Sequence, residues 1–243
     1  MYSVIIPIKN QYKIIRMCLE SLERHSNESE NIIIDDGSID EQTIEFLKEI
    51  SRRNNWILKR NEISLGHTKA CKIGIENTKS DNFFLLNSDV ILTKNSLAIL
   101  NKVLEDNKDI AVVGPSTCSA SGEQLIQDIF KLRFLWDVKV IEFFANELEK
   151  NDEIYDIELV NGFCFGIKRN VFEEVGMFDE NLVCYGNEKE LLIRVRKAGY
   201  RTVWKKGCYV HHFGKMSYSQ EKNINIGKIQ KEADTYIFRK HSL

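Results

Sequence analysis

Two short polar segments directly follow apolar runs of the chain, and both could bind a ligand. Residues 35–38 read Asp-Asp-Gly-Ser and follow the apolar run 32–34, and residues 87–89 read Asn-Ser-Asp and follow the run 83–86. Carboxylates of the first segment could accept hydrogen bonds from a nucleotide base or a ribose hydroxyl, and Asp89 in the second suits a hard divalent cation that holds a diphosphate. Asp, Asn and Ser are also common in turns and helix caps, so a purely structural role stays open for both segments.

Two acids and two histidines later in the chain are further candidates for chemistry. Glu188 and Glu190 open a segment with helical periodicity over residues 188–198, and His211 and His212 follow a short apolar run. An acid in a first helical turn could serve as a general base, or it could compensate the helix macrodipole. Histidines are often structural, but consecutive residues of a strand point to opposite faces, so one of these two could face a cleft.

The chain lacks the glycine-rich loops that cradle phosphates in two large enzyme classes. No Gly-x-Gly-x-x-Gly follows the first apolar run, and no Gly-x-x-x-x-Gly-Lys-Ser/Thr occurs in the sequence. The segment after the first run reads instead Pro7-Ile8-Lys9-Asn10. These absences argue against a dinucleotide oxidoreductase and against a P-loop enzyme.

The first 115 residues alternate short apolar runs with amphipathic stretches. The apolar runs, which we interpret as buried strands, are residues 4–6, 32–34, 56–58, 83–86 and 110–113. Continuous apolar strands separated by amphipathic helices predict an α/β fold whose central, mostly parallel sheet is flanked by helices. Ligands bind beyond the carboxyl ends of the strands in such sheets, so the polar segments that follow the strands should meet at one edge.

The second half is less regular, and its predicted elements are short or mixed. They are an aromatic-rich helical stretch at 124–150, a strand interrupted by Gly162 at 159–167, a strong helix at 188–198, short strands at 202–204 and 209–210, and a terminal helix at 219–241.

Composition and charge are those of a folded, soluble protein with one large domain. The 243 residues include 34 basic and 36 acidic side chains, and the net charge of −2 gives no electrostatic reason to expect nucleic acid as a partner. The six cysteines, at positions 18, 71, 118, 164, 184 and 208, form no Cys-x-x-Cys pair, so we expect buried thiols in a reducing compartment. The N-terminus lacks the features of a signal peptide, and no run reaches about 18 apolar residues, so a cytoplasmic location is predicted.

Basic residues concentrate toward the C-terminus. They are Lys215, Lys222, Lys228, Lys231, Arg239 and Lys240. One interpretation is a solvated helix face. The alternative is a peripheral contact with the inner face of the cell membrane, where each basic residue could add about 1 kcal/mol of attraction to anionic lipids.

Taken in order, these segments resemble the family 2 glycosyltransferases, which have the GT-A fold. Residues 4–10 (Val-Ile-Ile-Pro-Ile-Lys-Asn), 34–38 (Ile-Asp-Asp-Gly-Ser) and 86–89 (Leu-Asn-Ser-Asp) carry the resemblance in the first half. The later segments that agree are 161–169, which begins Asn-Gly-Phe, 175–180 (Val-Gly-Met-Phe-Asp-Glu), 185–191 (Tyr-Gly-Asn-Glu-Lys-Glu-Leu) and 210–212 (Val-His-His) with Ser217. The resemblance extends from residue 3 to about 217, and it rests on the order and spacing of several short motifs.

The resemblance implies a role for each matching residue. Asp36 would hydrogen-bond the nucleotide base, with Asp35 beside it. Asp89 would be the last acid of the metal-binding Asp-x-Asp motif, and His211 would be a further ligand of Mn²⁺ or Mg²⁺. Glu188 would be the general base, with Glu190 as the second candidate. The implied donor-binding residues are Pro7, Ile8, Lys9, Asn10, Asp35, Asp36, Gly37, Ser38, Asn87 and Ser88.

Two positions depart from the family pattern. Asn87 stands where the first acid of the Asp-x-Asp motif is usual, so Asp89 would carry the metal ligation nearly alone. Asn187-Glu188 stands where Glu-Asp is usual, and the glutamate is one methylene longer than the aspartate. The second departure leaves open whether Glu188 or Glu190 is the base.

The resemblance also implies an organisation and a reaction. A single domain would cover residues 1–243, with a nucleotide-sugar-binding half at 1–115, a small acceptor-side and catalytic half at 116–218 and a C-terminal helix at 219–243. The implied reaction is an inverting, metal-dependent transfer of a sugar from a UDP- or dTDP-linked donor to a hydroxyl of a glycan or glycolipid. Bacterial surface polysaccharide synthesis is the expected setting.

Three other functions are weighed against this one. The asparagines at 87 and 187 would fit a binding module that has lost catalysis and only senses nucleotide sugars. A nucleotidyltransferase also uses a parallel sheet and carboxylate-bound Mg²⁺, but it would usually have a glycine- and basic-rich loop after the first strand. A flavodoxin-like protein would not explain the aromatic-rich second half or the late histidines.

Overall fold

The computed structural model describes residues 1–25, 28–127, 132, 134–182, 185–214 and 226–242. Within these residues, helices cover both faces of a central sheet, and this three-layer arrangement confirms the predicted α/β class.

Parallel strands joined by helices form the first half of the sheet. The strands are β1 (Tyr2–Ile8), β2 (Ser29–Asp35), β3 (Ile57–Arg60) and β4 (Asn82–Leu86), and the helices are α1 (Tyr12–His25), α2 (Glu41–Asn54) and α3 (His67–Glu76). Every residue of β1 and β4 is buried. Burial on both faces explains why these strands read as continuous apolar runs instead of alternating with polar residues.

The second half extends the sheet and adds the remaining helices. Its strands are β5 (Val90–Leu92), β6 (Ile110–Ser116), β7 (Ile154–Asp156), β8 (Cys164–Lys168) and β9 (Arg201–His212), and its helices are α4 (Ser96–Asp106), α5 (Val138–Glu149), α6 (Arg169–Val175), α7 (Asn187–Lys197) and α8 (Ile226–His241). The strand order is β3-β2-β1-β4-β8-β6-β9-β5, with β7 paired to β9. Strand β8 runs antiparallel to both β4 and β6, whereas β9 runs parallel to β6.

Two large apolar clusters lie on the two faces of this sheet. One contains buried residues of α1, α2, α4 and α5, and the other contains buried residues of α3, α6 and α7. Adjacent strand residues divide between them, since Val4 and Ile6 belong to the first cluster and Ile5 to the second. This division is the period of two that a strand imposes, and it keeps the sheet rigid beneath the polar edge.

Several elements of the second half differ from their sequence-based predictions. The strand predicted at 159–167 begins only at Cys164, because Gly162 lies in a turn. The two short strands predicted at 202–204 and 209–210 are one strand, β9, which continues through the polar Lys205 because that residue pairs with Ile154 of β7.

Two further predictions concern the C-terminal helix and the cysteines. The helix begins at Ile226, and positions 219–225 of the prediction lie outside the described residues. Cysteines 18, 71, 118, 164 and 208 are buried and free, as expected, whereas Cys184 lies outside the described residues. In the described part of the chain, no helix combines the length and the apolar character that crossing a bilayer requires.

Candidate functional site

The carboxyl ends of β1, β2 and β4 lie side by side, so the polar segments after them form one edge of the sheet. Ile8 pairs with Asp35 at the ends of β1 and β2, and Ile5 pairs with Leu85 one strand further along. The backbone N–H of Asn87 donates to the carbonyl of Phe163 at 3.0 Å, which fixes the segment after β4 against the start of β8. Asn87 and Ser88 are half-buried at this edge.

Asp36 binds a neighbouring loop with both of its carboxylate oxygens. They accept hydrogen bonds from the Asn61 side-chain amide at 2.8 Å, the Ser64 hydroxyl at 2.7 Å, and the backbone N–H groups of Leu65 and Gly66 at 2.8 and 2.9 Å. Burial opposes ionisation, but these hydrogen bonds outweigh it and hold the pKa of Asp36 below its usual range. A carboxylate has about four acceptor positions, so none is left for the base contact predicted for Asp36.

Asp35 is the carboxylate of this pair that keeps acceptor capacity. It accepts hydrogen bonds from the Ser38 backbone N–H at 2.9 Å and from the Arg60 guanidinium, so about two of its acceptor positions are in use. Arg60 also donates to the Ser38 carbonyl at 2.7 Å. Of the two carboxylates, Asp35 is therefore the one with acceptor positions left for a ligand.

The remaining residues predicted at this edge shape its turns. Gly37 has φ +71°, and a Cβ there would lie 2.6 Å from the backbone nitrogen of Ser64, so both conformation and space require glycine. The Asn10 side chain accepts hydrogen bonds from the backbone N–H groups of residues 39 and 40 at 2.8 and 3.2 Å. The backbone N–H of Asn10 donates to the Ser38 hydroxyl at 2.8 Å. Pro7 and Ile8 are buried in β1, and Lys9 is exposed beyond it.

Asp89 lies beside His212. The antiparallel pairing of β5 with β9 places Val90 opposite His212, and this brings the Asp89 Oδ1 atom to 3.3 Å from the His212 Nε2 atom. The His212 Nδ1 atom is 2.5 Å from the Ser119 carbonyl, so the tautomer that donates to this carbonyl directs its Nε2 lone pair toward Asp89. The ring also stacks on Phe163, with centroids 5.1 Å apart. A backbone carbonyl on the far ring nitrogen is the usual support of a metal-binding histidine.

His211, predicted as the metal ligand, points into the protein interior. Its side chain is on the opposite face of β9 from that of His212, as alternate strand residues must be. The Nδ1 atom lies 3.0 Å from the Tyr209 hydroxyl and 3.4 Å from the Cys118 sulfur. The residue is 0% exposed, and burial lowers its pKa to about 4, so the ring is neutral at neutral pH. The structure thus places His212, and not the predicted ligand His211, next to Asp89.

The pair of Asp89 and His212 could hold a divalent ion together with ligands from a bound molecule. Among the described residues, no group of three or more His, Cys, Asp or Glu side chains could hold a metal ion. One carboxylate and one imidazole fit an ion whose other positions are filled by diphosphate oxygens and water.

Glu188 lies in the first turn of α7 and lines a small cavity. A Cβ at Gly162 would lie 2.0 Å from the Glu188 Oε1 atom, so the carboxylate rests directly on this glycine. No lysine or arginine of the described residues forms an ion pair with Glu188, whose side chain is half-buried. The other residues that line the cavity are His67, Thr68, Cys71, Leu85, Phe165, Phe178 and Asn187.

Glu190, the second candidate base, is occupied by ion pairs. Its side chain is 0% exposed, and its oxygens lie 2.6 Å from the Arg194 Nη2 atom, 2.8 Å from the Lys240 Nζ atom and 3.0 Å from the His241 Nε2 atom. Burial opposes its ionisation, but hydrogen bonds from Arg194 and Lys240 outweigh it and keep the pKa of Glu190 below its usual range. A carboxylate neutralised in this way is a poor proton acceptor, so the structure disagrees with a base role for Glu190.

His67 is a residue of the site that the sequence reasoning missed. Burial lowers the pKa of its imidazole, and the carboxylates of Glu188, Asp36 and Asp89 oppose that lowering. A single side chain therefore lies within electrostatic range of acids from three distant parts of the chain. His67 opens α3 directly after the loop that follows β3, so applying the strand-end rule to β3 would have found it.

The departure at Asn187 has a structural explanation. Its side-chain amide donates to the Thr68 hydroxyl at 2.8 Å and to the Leu182 carbonyl. These contacts tie the start of α7 to the start of α3. Asn187 therefore shapes the cavity wall, while the carboxylate of Glu188, the next residue, faces Gly162.

Comparison with protein families identifies the chain. The sequence model of glycosyl transferase family 2 matches residues 3–176. That match covers well over half of the 243 residues. The chain belongs to glycosyl transferase family 2. The resemblance seen in the sequence is thereby confirmed.

Relatives and solved structures agree with this family. An uncharacterized glycosyltransferase of Rickettsia prowazekii is 29% identical over 187 residues, which is 74% of this chain and 54% of the relative. A crystal structure of GalNAc-T7 with UDP, GalNAc and Mn²⁺ superimposes with a TM-score of 0.73 at 18% identity, over 98% of this chain and 47% of that one. The mannosyltransferase PcManGT from Pyrobaculum calidifontis, in complex with GDP-Man and Mn²⁺, gives a TM-score of 0.65 at 14% identity, over 87% of this chain and 56% of that one. These structures confirm the GT-A fold.

The family 2 chain is shorter than the proteins it matches. It spans between 25% and 54% of the lengths of the first curated relatives. These relatives therefore carry further sequence that this chain does not match.

The contact between Gly162 and Glu188 makes a prediction for this family 2 protein. Gly162→Ala places a methyl group where the Glu188 carboxylate lies, so the carboxylate must move away from the turn that precedes β8. A displacement of about 1 Å at a reacting group can lower a rate about 100-fold, and we expect a loss of that order in donor turnover. Turnover is measured as release of nucleoside diphosphate.

A matched control is Gly199→Ala, at a position where an added Cβ meets no atom within 4 Å. Its φ of +89° introduces backbone strain without touching the site. Equal losses of turnover in both variants would show that the Gly162 effect comes from general strain and not from Glu188.

Proposed function

We propose that this chain transfers a sugar from a nucleoside-diphosphate sugar, of the UDP or dTDP type, to an acceptor hydroxyl with inversion at the anomeric carbon. The observation that carries the proposal is twofold: Asp89 lies beside His212, and Glu188 lines one cavity with His67, whose imidazole interacts electrostatically with both Glu188 and Asp89. Asp89 and His212 would supply a metal pair, and Glu188 would supply a carboxylate that forms no ion pair with a lysine or arginine of the described residues.

The donor would bind along the ends of β1, β2 and β4. Asp35 would accept a hydrogen bond from the base. The turn that carries Asp35 is held by the Arg60 guanidinium and by the hydrogen bonds between Asp36 and the loop 61–66. The diphosphate would lie next to Asn87 and Asp89. A Mn²⁺ or Mg²⁺ ion held by Asp89 and His212 would supply Lewis-acid stabilisation of the negative charge that develops on the leaving diphosphate.

Glu188 would accept the proton of the attacking hydroxyl. A single displacement with inversion needs one base on the side of the acceptor, and no second carboxylate nucleophile. Glu188 is suited to this because it is half-buried beside the cavity, and because the competing acid Glu190 is held by Arg194 and Lys240. His67 and Asn187 would confine the carboxylate from the cavity side.

The acceptor side would be formed by the segment 118–158 and the turn at Asn161. Trp136 is 47% exposed, and its ring packs on that of Phe213 with centroids 4.7 Å apart. Phe213 is the residue directly after His212. Phe134 and Phe143 are 65% and 63% exposed. The exposed ring of Trp136, packed on the residue that follows His212, and the other exposed aromatic rings of this segment suit a glycan or glycolipid acceptor, in the synthesis of a bacterial surface polysaccharide.

A peripheral membrane contact would use only part of the basic C-terminal set. Lys240 forms ion pairs with Asp179 and Glu190, at 2.7 and 2.8 Å, and is not available for such a contact. Lys231 and Arg239 are exposed on α8 and remain available, whereas residues 215 and 222 lie outside the described residues. The proposed location is the cytoplasm, at the inner face of the membrane where a glycolipid acceptor would lie.

Thermal shift and product analysis test the proposal together. Melting of the chain is followed with UDP, dTDP, GDP and ADP, each with and without Mn²⁺, and donors of the stabilising base are then incubated with the protein. We expect stabilisation by UDP or dTDP only with the ion, and slow release of the nucleoside diphosphate from its sugar donor. Release of pyrophosphate instead would identify a nucleotidyltransferase, and tight donor binding with no release of any product would identify a binding module.

A further inference from the structure

Helix α8 packs directly on the start of α7, which carries Glu188. Ala233 and Ile237 of α8 are buried against Leu182 and Ile193. A Cβ on Gly186, the residue that caps the N-terminus of α7, would lie 3.0 Å from the Ile237 Cδ1 atom and 3.3 Å from the Ala233 Cβ atom. The two helices therefore approach each other at the point where α7 begins.

Near the C-terminal end of α8, a network of ion pairs joins this helix to α7 and to Asp179. The Lys240 Nζ atom lies 2.7 Å from the Asp179 Oδ2 atom and 2.8 Å from the Glu190 Oε1 atom, so it bridges two carboxylates. Arg194 is the second cation, bonded to Glu190 within α7. The Tyr236 hydroxyl also donates to Asp179, at 2.7 Å. The charges of Asp179 and Glu190 are balanced by those of Lys240 and Arg194. Loss of the Lys240 charge would therefore leave an excess of buried negative charge.

This network acts two residues away from Glu188. The Glu190 backbone N–H donates to the Gly186 carbonyl at 2.8 Å, which is the first hydrogen bond of the α7 helix. Glu188 lies inside that turn and has Gly162 on its other side. The direction of its carboxylate thus depends on how the first turn of α7 is held, and α8 holds that turn from outside the site.

We propose that α8 is a positioning element for the reaction and that Lys240 is its principal positioning residue, acting through Glu190 on Glu188. The inference rests on the proposed function, because it assigns a task to the base that Glu188 supplies there. Lys240 and Glu190 contact no substrate in this account. They fix the orientation of the residue that does.

The test replaces Lys240→Met, which keeps the apolar stem of the side chain and removes its charge. We expect kcat for nucleoside diphosphate release to fall about 10- to 100-fold, because misplacement of a reacting group by about 1 Å can have an effect of this size. The KM for the donor should stay within about twofold, since α8 acts on α7 and on the segment with Asp179 and Leu182, whereas the donor would bind at the ends of β1, β2 and β4. Lys240→Arg should restore most of the rate, and Arg239→Met, on an exposed basic residue of the same helix, is the matched control.

A double-mutant cycle separates positioning from simple loss of stability. In a Glu188→Gln background there is no base left to position, so Lys240→Met should change the residual rate by less than about twofold. An equal fold-loss in both backgrounds, or full activity of Lys240→Met, would overturn the inference. If Lys240→Met does not fold, Tyr236→Phe, which removes the hydroxyl that donates to Asp179 and accepts from Asn181, is carried through the same cycle with the same two outcomes. Absence of nucleoside diphosphate release by the unmodified protein would instead be a failure of the proposed function.

Discussion

Glu188→Gln is expected to lower kcat for nucleoside diphosphate release by about 100- to 10,000-fold, the range that a positioned general base contributes. Glutamine has the shape of glutamate, so the contact with Gly162 is kept while the proton acceptor is lost. Binding of the nucleotide with Mn²⁺ should stay near that of the unmodified protein, because Asp35, Asp89 and His212 are unchanged. Steady-state kinetics and calorimetry on the same preparation measure both quantities.

Glu190→Gln is the informative comparison, because it changes the neighbouring acid of the same helix. Its carboxylate is bonded to Arg194 and Lys240 and is 0% exposed. Breaking a buried ion pair by removing one partner typically destabilises a protein by about 3–5 kcal/mol. Glu190→Gln should therefore lower the melting temperature, whereas Glu188→Gln should leave it nearly unchanged. Activity near the unmodified level in Glu188→Gln would remove this residue from the role of base.

Asp89→Ala is expected to weaken the Mn²⁺-dependent part of nucleotide binding by at least about 100-fold. Loss of a residue that only hydrogen-bonds to a metal ligand already lowers metal affinity about 10- to 100-fold, and Asp89 would be a direct ligand. His212→Ala should produce a loss of the same kind. Calorimetric titration of nucleoside diphosphate with and without Mn²⁺ isolates the metal-dependent part of the binding free energy.

The neighbouring histidine provides the control for that titration. His211→Phe keeps a ring in the interior next to Tyr209 and Cys118, and it leaves His212 on the other face of β9. We expect lower stability, since the hydrogen bond with Tyr209 is lost, but unchanged metal-dependent binding. Loss of that binding in His211→Phe and its retention in His212→Ala would reverse the assignment made here.

The first half of the fold could be predicted from the sequence because its strands are buried on both faces. Continuous apolar runs such as residues 4–6 and 83–86 are distinct from the amphipathic helices between them, and the strand-end rule then located the polar edge. Strand β5 (Val90–Leu92) was not predicted. Its three apolar residues are too few to show the periodicity of a strand or a helix, and they form a strand only through their pairing with β9.

Where the geometry of the site favours a residue other than the predicted one, the difference has a common physical origin in the choice between adjacent residues. The sequence could not decide between His211 and His212, or between Asp35 and Asp36, because a shift of one residue along a strand exchanges the two faces of the sheet. That choice was set by the register of β5 against β9 and by the loop that binds Asp36. Glu190 was misjudged for a different reason, since its partners Lys240 and His241 are about fifty positions away in the chain and only the packing of α8 brings them there.

The most direct measurement of the central claim is a crystal structure of the chain with UDP and Mn²⁺. The account predicts a single Mn²⁺ ion bound directly by an Asp89 carboxylate oxygen and by the His212 Nε2 atom. It also predicts that the Glu188 carboxylate, which lies against Gly162, faces the cleft that holds the ion. Manganese bound through His211, or bound nucleotide and ion at a distance from Asp89, His212 and Glu188, would contradict it.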